Sequence, residues 1–134
     1  MSVFQNVLQA ASWAGISPGN HESAGKRKSS RIPKGNAYLK TALVEAATAA
    51  TKAKGTYFRD KFYRLKARRG YKRAIVAVAH KILVAIYHIL SHQVSYNELG
   101  DLYLDKLNKH TLTRNLVHRL ERLGYTVTLE QKAA

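Results

Sequence analysis

The run Ala74–Leu90 constrains this chain more than any other stretch. Over its 17 residues only His80, Lys81 and His88 interrupt apolar side chains. The run is too long for one strand, and it is about a turn short of the roughly 20 residues that usually span a membrane. A helix over about Lys72–Ser91 is therefore predicted, apolar nearly all the way round. A helix of that kind belongs at the centre of a core.

Other helices follow from spacing and caps. Asn36 can cap a helix from Ala37 to about Lys54, with Leu39, Leu43, Ala46, Ala47 and Ala50 at helical spacing. Thr56 can cap the next, to about Arg69, whose inner face is Phe58, Phe62 and Leu65. Gly55 and Gly70 stop these two. A fourth, about Asn108–Leu123, sets Leu112, Leu116, Leu120 and Leu123 on one side. Met1–Ala11 reads as a short amphipathic segment. Tyr125–Glu130 alternates strictly and reads as a short strand, although the sequence shows no partner for it. The predicted fold is mainly α: a small helical domain of about four helices, with a long basic N-terminal loop and a short C-terminal strand. Three parts are expected: residues 1–36, the segment and loop; 37–92, a basic helical core; and 93–134, a C-terminal helix and strand.

Charge is distributed unevenly. Net charge is +15, from 23 Lys and Arg against 8 Asp and Glu. Residues 26–34 carry +5 and no acid, and residues 40–73 carry +9, whereas 74–134 carry only +2. Such a footprint attracts a polyanion, DNA or RNA before an anionic membrane. Cysteine is absent, so disulfides, thiolate zinc sites and a cysteine nucleophile are excluded. Residues 1–25 do not read as a signal peptide: no base precedes the apolar stretch, and Gln5, Asn6 and Gln9 interrupt it.

Gly15–Asn36 holds four glycines, both prolines and six serines or asparagines, which is loop chemistry throughout. Within it, Ser23 stands close to Gly25 and to the cations Lys26, Arg27 and Lys28, with Arg31 and Lys34 following. Glycine lets backbone N–H groups approach a phosphate, cations neutralise charge on its oxygens, and a serine hydroxyl can attack phosphorus if its proton is removed. A merely soluble, basic loop has the same composition. A P-loop does not fit: five residues, not four, separate Gly19 from Gly25-Lys26, and Arg27 stands where Ser or Thr would hold magnesium. On the second predicted basic helix, Lys61, Arg64, Arg68 and Lys72 fall at spacings of 3, 4 and 4, one face that can follow a phosphate backbone. Tyr57, Tyr63 and Tyr71 lie among these bases and can stack on exposed bases or pack in the core. His88 and His92 have the i, i+4 spacing of two metal ligands, but no carboxylate completes a set, and no metal site is expected from this chain alone.

Three stretches carry a family resemblance: Ala11–Asn36, Leu39–Ala47 and Arg73–Leu83. They are closely similar to transposases of the insertion sequence 110 family, with its 116 and 902 relatives, over about residues 11–92. The resemblance implies a carboxy-terminal transposase domain that supplies a catalytic serine to a composite site. The other half of that site is an amino-terminal RuvC-like domain with a metal-binding Asp-Glu-Asp-Asp set. The serine becomes covalently joined to DNA, and some members are guided by a structured RNA. Carried onto this sequence, the serine is Ser23, in Glu22-Ser23-Ala24-Gly25.

The expectations that follow are a cytoplasmic, DNA-binding carboxy-terminal transposase domain, truncated so that the amino-terminal RuvC-like half is absent, and inactive in strand transfer alone. Its partners would be DNA, a guide RNA, the RuvC-like domain and, in the full-length protein, further copies of itself, with no membrane. Magnesium is implied only for the full-length family protein. The alternative is a non-catalytic basic helical DNA- or RNA-binding protein or transposon relic.

Overall fold

The computed structural model describes residues 3–19, 21–29 and 31–131, with the backbone alone for His21 and Arg27. The chain forms two compact units, Met1–Asp101 and Leu102–Ala134. The described residues form six helices and one two-stranded sheet.

The first unit is built on α4 (Tyr71–His92), against which α1 (Val7–Trp13), α2 (Ala37–Ala50) and α3 (Tyr57–Arg69) pack. Its core is Ala74, Ile75, Val78, Ala79 and Leu83 of α4, closed by Leu43 and Ala47 of α2, Phe62 of α3, and Ala10, Ala11, Ala14 and Ile16 from α1 and the turn after it. Half of these residues are alanines, so the helices approach closely and little bulk fills the gaps. By length and composition α4 is apolar enough to cross a membrane. Its buried face instead meets three helices. Its other flank carries Lys72, Arg73 and Lys81, all exposed.

Local chemistry sets the helix ends. Asn36 Oδ1 accepts the Leu39 N–H at 2.9 Å and starts α2; Thr56 Oγ1 accepts the Arg59 N–H at 3.4 Å and starts α3. α2 ends at Ala50 rather than near Lys54. Gly70, at φ +79°, breaks α3 from α4 with no intervening loop. The start of α3 has a second cap from far along the chain. Glu98 Oε1 accepts the Tyr57 N–H at 2.8 Å and the Gly100 N–H at 3.1 Å, while Glu98 Oε2 accepts the Tyr96 hydroxyl at 2.8 Å. Tyr96 stacks on Phe58. The segment after α4 is thereby tied back to α3.

Two expectations are corrected. Tyr125–Glu130 forms no strand: residues 125–131 have no regular structure, and Tyr125 and Leu129 are exposed. Alternation favours a strand only where an edge is available to pair with, and the second unit, α5 (Tyr103–Leu107) and α6 (Lys109–Arg122), has none among its described residues. The sheet lies instead in the supposed loop. β1 (His21–Ser23) and β2 (Lys26–Ser29) pair antiparallel around Ala24-Gly25, with a bulge between His21 and Glu22. Both turn residues have positive φ, +51° and +71°, the pattern of a type I′ hairpin turn.

The legs of this hairpin are pinned. The Asn36 N–H donates to the Trp13 carbonyl at 3.0 Å, closing the segment into a loop with adjacent ends. Gly15 and Gly35 touch backbone to backbone just above, and a Cβ on Gly19 would lie 2.1 Å from the Arg31 carbonyl oxygen. Three of the four glycines that made this stretch look loose are contact points.

Candidate nucleic-acid interface

A groove of about 670 Å³ runs along the α3–α4 corner of the first unit. Its floor is apolar: Leu65 of α3, Val76 and Ala77 of α4, and Ile16, Pro18 and Ile32 from the two hairpin legs. Its rim is cationic: Lys61, Arg68, Arg69, Lys72, Arg73 and Lys81. Among the described residues no Asp or Glu lines it. The rim forms because Gly70 lets α4 follow α3 directly, so bases from the end of one helix and the start of the next converge on one hollow.

His80 also lines the groove. Its Nε2 is buried and has no hydrogen-bond partner among the described residues. Burial pushes its pKa below the usual histidine value, and the charges of Lys81 and Lys61 act in the same direction. The ring is therefore neutral at pH 7, with one donor and one acceptor nitrogen. His80 has no bonded Nε2, His88 is exposed, and His92 Nδ1 lies 3.2 Å from the His88 carbonyl oxygen.

The cations expected on one stripe divide. Lys61, Arg68 and Lys72 line the groove, whereas Arg64 pairs with Asp60 at 2.7 Å and lies outside it. Arg69, Arg73 and Lys81 join the groove from positions that helical spacing along α3 does not connect. Lys26, Lys28, Arg31 and Lys34 are exposed on and after the hairpin, outside the groove lining; the Arg27 side chain lies outside the described residues. Tyr63 has Arg59 and Lys66 near its ring, Lys61 lies 5.6 Å from the Tyr57 ring centroid, and Tyr71 meets Phe62 edge-on. These tyrosines are thus already engaged within the chain.

Ser23 is the last residue of β1, exposed, and pairs across the turn with Lys26. Directly paired residues share a face of the ladder, so Lys26 stands on the Ser23 side and Glu22 on the other. Among the described residues no side chain hydrogen-bonds the Ser23 hydroxyl, and no acid or histidine is set as its base. The hairpin legs that carry Ser23 also supply Ile16, Pro18 and Ile32 to the groove. At most about 17 Å of extended chain separates Pro18 from Ser23. A magnesium ion takes several oxygen ligands. Among the described residues no three His, Cys, Asp or Glu side chains converge. A larger hollow of about 1300 Å³ in the second unit is lined by bases such as Arg114 and by Glu121 and Glu130, so its charge is mixed.

Shape and charge define a small helical domain with one acid-free cationic groove and a basic hairpin beside it. Residues 1–64 match the model of the Transposase IS116/IS110/IS902 family. The match takes in α1, the hairpin, α2 and α3 as far as Arg64; the end of α3 and all of α4, with most of the groove, lie outside it. DNA is the partner that a transposase implies. Neither curated proteins nor solved structures gave a match.

Proposed function

We propose that this chain is the nucleic-acid-binding and serine-bearing part of an insertion-sequence transposase. The groove and the hairpin cations hold a strand by its phosphates, and Ser23 is the nucleophile. In the reaction Ser23 Oγ forms a bond to phosphorus, the strand's own P–O bond breaks, and the departing sugar oxygen takes up the proton that the serine gives away. The number of phosphodiester-type bonds is conserved, which makes the step reversible without an external energy source. Lys26, across the ladder from Ser23, offsets charge on the phosphorus oxygens. The base and the magnesium-binding carboxylates come from a RuvC-like domain, as the family resemblance implies. A guide RNA, further copies of the protein and a cytoplasmic location belong to the same reading.

The observation that carries it is the acid-free lining of a groove with six cations, next to the hairpin that presents Ser23. The test combines the chain with a RuvC-like domain of the same family and DNA carrying the element's ends. A covalent protein–DNA adduct, resistant to denaturation and lost in Ser23→Ala, is expected. Ser23→Ala should leave DNA affinity nearly unchanged, because one neutral hydrogen bond is worth about 0.5–1.5 kcal/mol beside many charges. An adduct that persists in Ser23→Ala would remove Ser23 from the reaction.

A second reading, a non-catalytic nucleic-acid binder, is favoured by one feature: the Ser23 hydroxyl has no base beside it among the described residues. An adduct in the combined reaction decides against it.

A further inference from the structure

The groove is built for more than phosphates. A surface that follows a duplex backbone needs cations at its edge and nothing apolar beneath them, because the bases are paired away from it. Here the cations surround an apolar floor made from two helices and both hairpin legs, and the hollow falls in the size range of sites that enclose small ligands. One polar atom, His80 Nε2, lies buried in this part of the fold without a partner. Buried polar groups in folded proteins nearly always have one, and the His80 residue lines the hollow, so a turn of its ring would bring the unpaired nitrogen to a ligand there.

We propose that this groove takes an unpaired nucleotide of the bound strand: the base rests on Val76, Ala77 and Pro18, one of its edges hydrogen-bonds His80, and the flanking phosphates lie on the rim. The proposal rests on the nucleic-acid reading above and deepens it. A nucleobase has the required mixture of an apolar face and a polar edge. A bare phosphate would leave the floor unused, and an apolar ligand would leave six cations and His80 unpaired. Arg68, Arg69 and Arg73 supply guanidinium planes on which an unstacked base can also lie. A paired base cannot enter, because its Watson–Crick edge and its stacked faces are occupied. The neutral His80 ring offers either a donor or an acceptor according to tautomer, so the site distinguishes unpaired from paired nucleotides before it distinguishes one base from another. Because Ile16, Pro18 and Ile32 belong to the hairpin legs, a nucleotide seated here is held by the same segment that carries Ser23.

The test uses the full chain and three probes at one low salt concentration: a single strand, the same strand with abasic sites, and the blunt duplex of that sequence. Fluorescence anisotropy should show the single strand bound about tenfold more tightly than the abasic strand, the effect of roughly one stacked base. Ala77→Phe fills the floor without altering charge, and His80→Ala removes the polar contact. Each should bring the single strand down to the abasic level. Equal binding of the ordinary and abasic strands by the unaltered chain overturns the proposal and needs no variant. A base preference that survives both substitutions in folded protein overturns it too. Failure to bind any of the three probes would instead remove the nucleic-acid reading on which it rests.

Discussion

Gly15 and Gly35 pack backbone against backbone: a Cβ on Gly35 would lie 2.2 Å from the Gly15 nitrogen, and one on Gly15 would lie 2.7 Å from the Gly35 nitrogen. This contact brings the hairpin legs together, and the legs wall the groove. Gly35→Ala should therefore destabilise the chain by about 1–3 kcal/mol through steric overlap that only a backbone shift can relieve. Gly15→Ala should cost more, because φ at Gly15 is +70° and a side chain there adds about 1 kcal/mol of strain. Gly55→Ala is the comparison. Its φ is +71° but nothing lies within 4 Å of the added Cβ, so it should lose only about 1 kcal/mol. Urea midpoints rank the three variants. A Gly35→Ala midpoint equal to that of the parent chain would show that the legs are not in contact.

Much of this fold was legible because its signals are local. Asn36 and Thr56 cap the helices that their positions suggest, and the apolar run at Ala74–Leu90 is the helix around which the first unit forms. What could not be read depends on residues distant in sequence. The hairpin has no apolar alternation in His-Glu-Ser or Lys-Arg-Lys-Ser; it is held by glycine contacts between its legs. The turn pair Ala24-Gly25 was the available signal. Conversely, Tyr125–Glu130 alternates well but has no edge to join. Of the groove, Lys61, Arg68 and Lys72 were legible from α3 spacing. Arg69, Arg73, Lys81 and His80 were not, because the angle at Gly70 decides whether they meet. Of the site, Ser23 was legible as a residue, but its pairing with Lys26 needed the turn geometry.

Arg64 and Arg68 stand one helical turn apart and should contribute differently to binding. Arg64 is held by Asp60, whereas Arg68 lines the acid-free groove. Arg68→Ala should weaken duplex DNA binding and lower the slope of log affinity against log salt by roughly 0.9 for one lost phosphate contact. Arg64→Ala should change the slope little. Titrations at several salt concentrations measure both. Equal losses would mean that the backbone follows the α3 stripe and not the groove.

Glu98 ties the segment after α4 to α3, and its ionisation should be visible in stability. Burial alone would raise its carboxyl, but hydrogen bonds from the Tyr57 N–H, the Tyr96 hydroxyl and the Gly100 and Leu99 N–H groups bring it below the usual 4.5. A carboxyl with a lowered folded pKa contributes stability that is fully present above 4.5 and is lost as pH falls through the lowered value. Tyr96 behaves in the opposite sense. Burial first, then its hydrogen bond to Glu98, raise its pKa from 10.0 to about 12, so its contribution is present below pH 10 and is lost as pH rises toward 12. Glu98→Gln should flatten the acid side of the stability profile, and Tyr96→Phe the alkaline side. Unfolding midpoints across pH test each limb, and unchanged acid sensitivity in Glu98→Gln would assign that limb to other carboxylates.

The turn that sets Ser23 opposite Lys26 contains the one strained residue beside the candidate nucleophile. Ala24 has φ +51°, in the left-handed region that costs an L-residue about 1–2 kcal/mol, while Gly25 occupies the same region at +71° without that cost. Ala24→Gly should relieve the strain and strengthen the hairpin. Ala24→Val should weaken it, because a β-branched side chain is least tolerant of this backbone region. Neither change alters charge or removes the hydroxyl. Amide hydrogen exchange at Ser23 and Lys26, measured relative to α4, should therefore show protection rising in the glycine variant and falling in the valine variant. If the hairpin positions Ser23 for attack, adduct yield with a RuvC-like domain should fall in Ala24→Val while DNA affinity stays near that of the parent chain. Identical exchange in all three proteins would mean that the turn does not hold Ser23 against Lys26. A normal adduct yield from a valine variant with an unprotected hairpin would mean that the other domain, and not this turn, orients the serine.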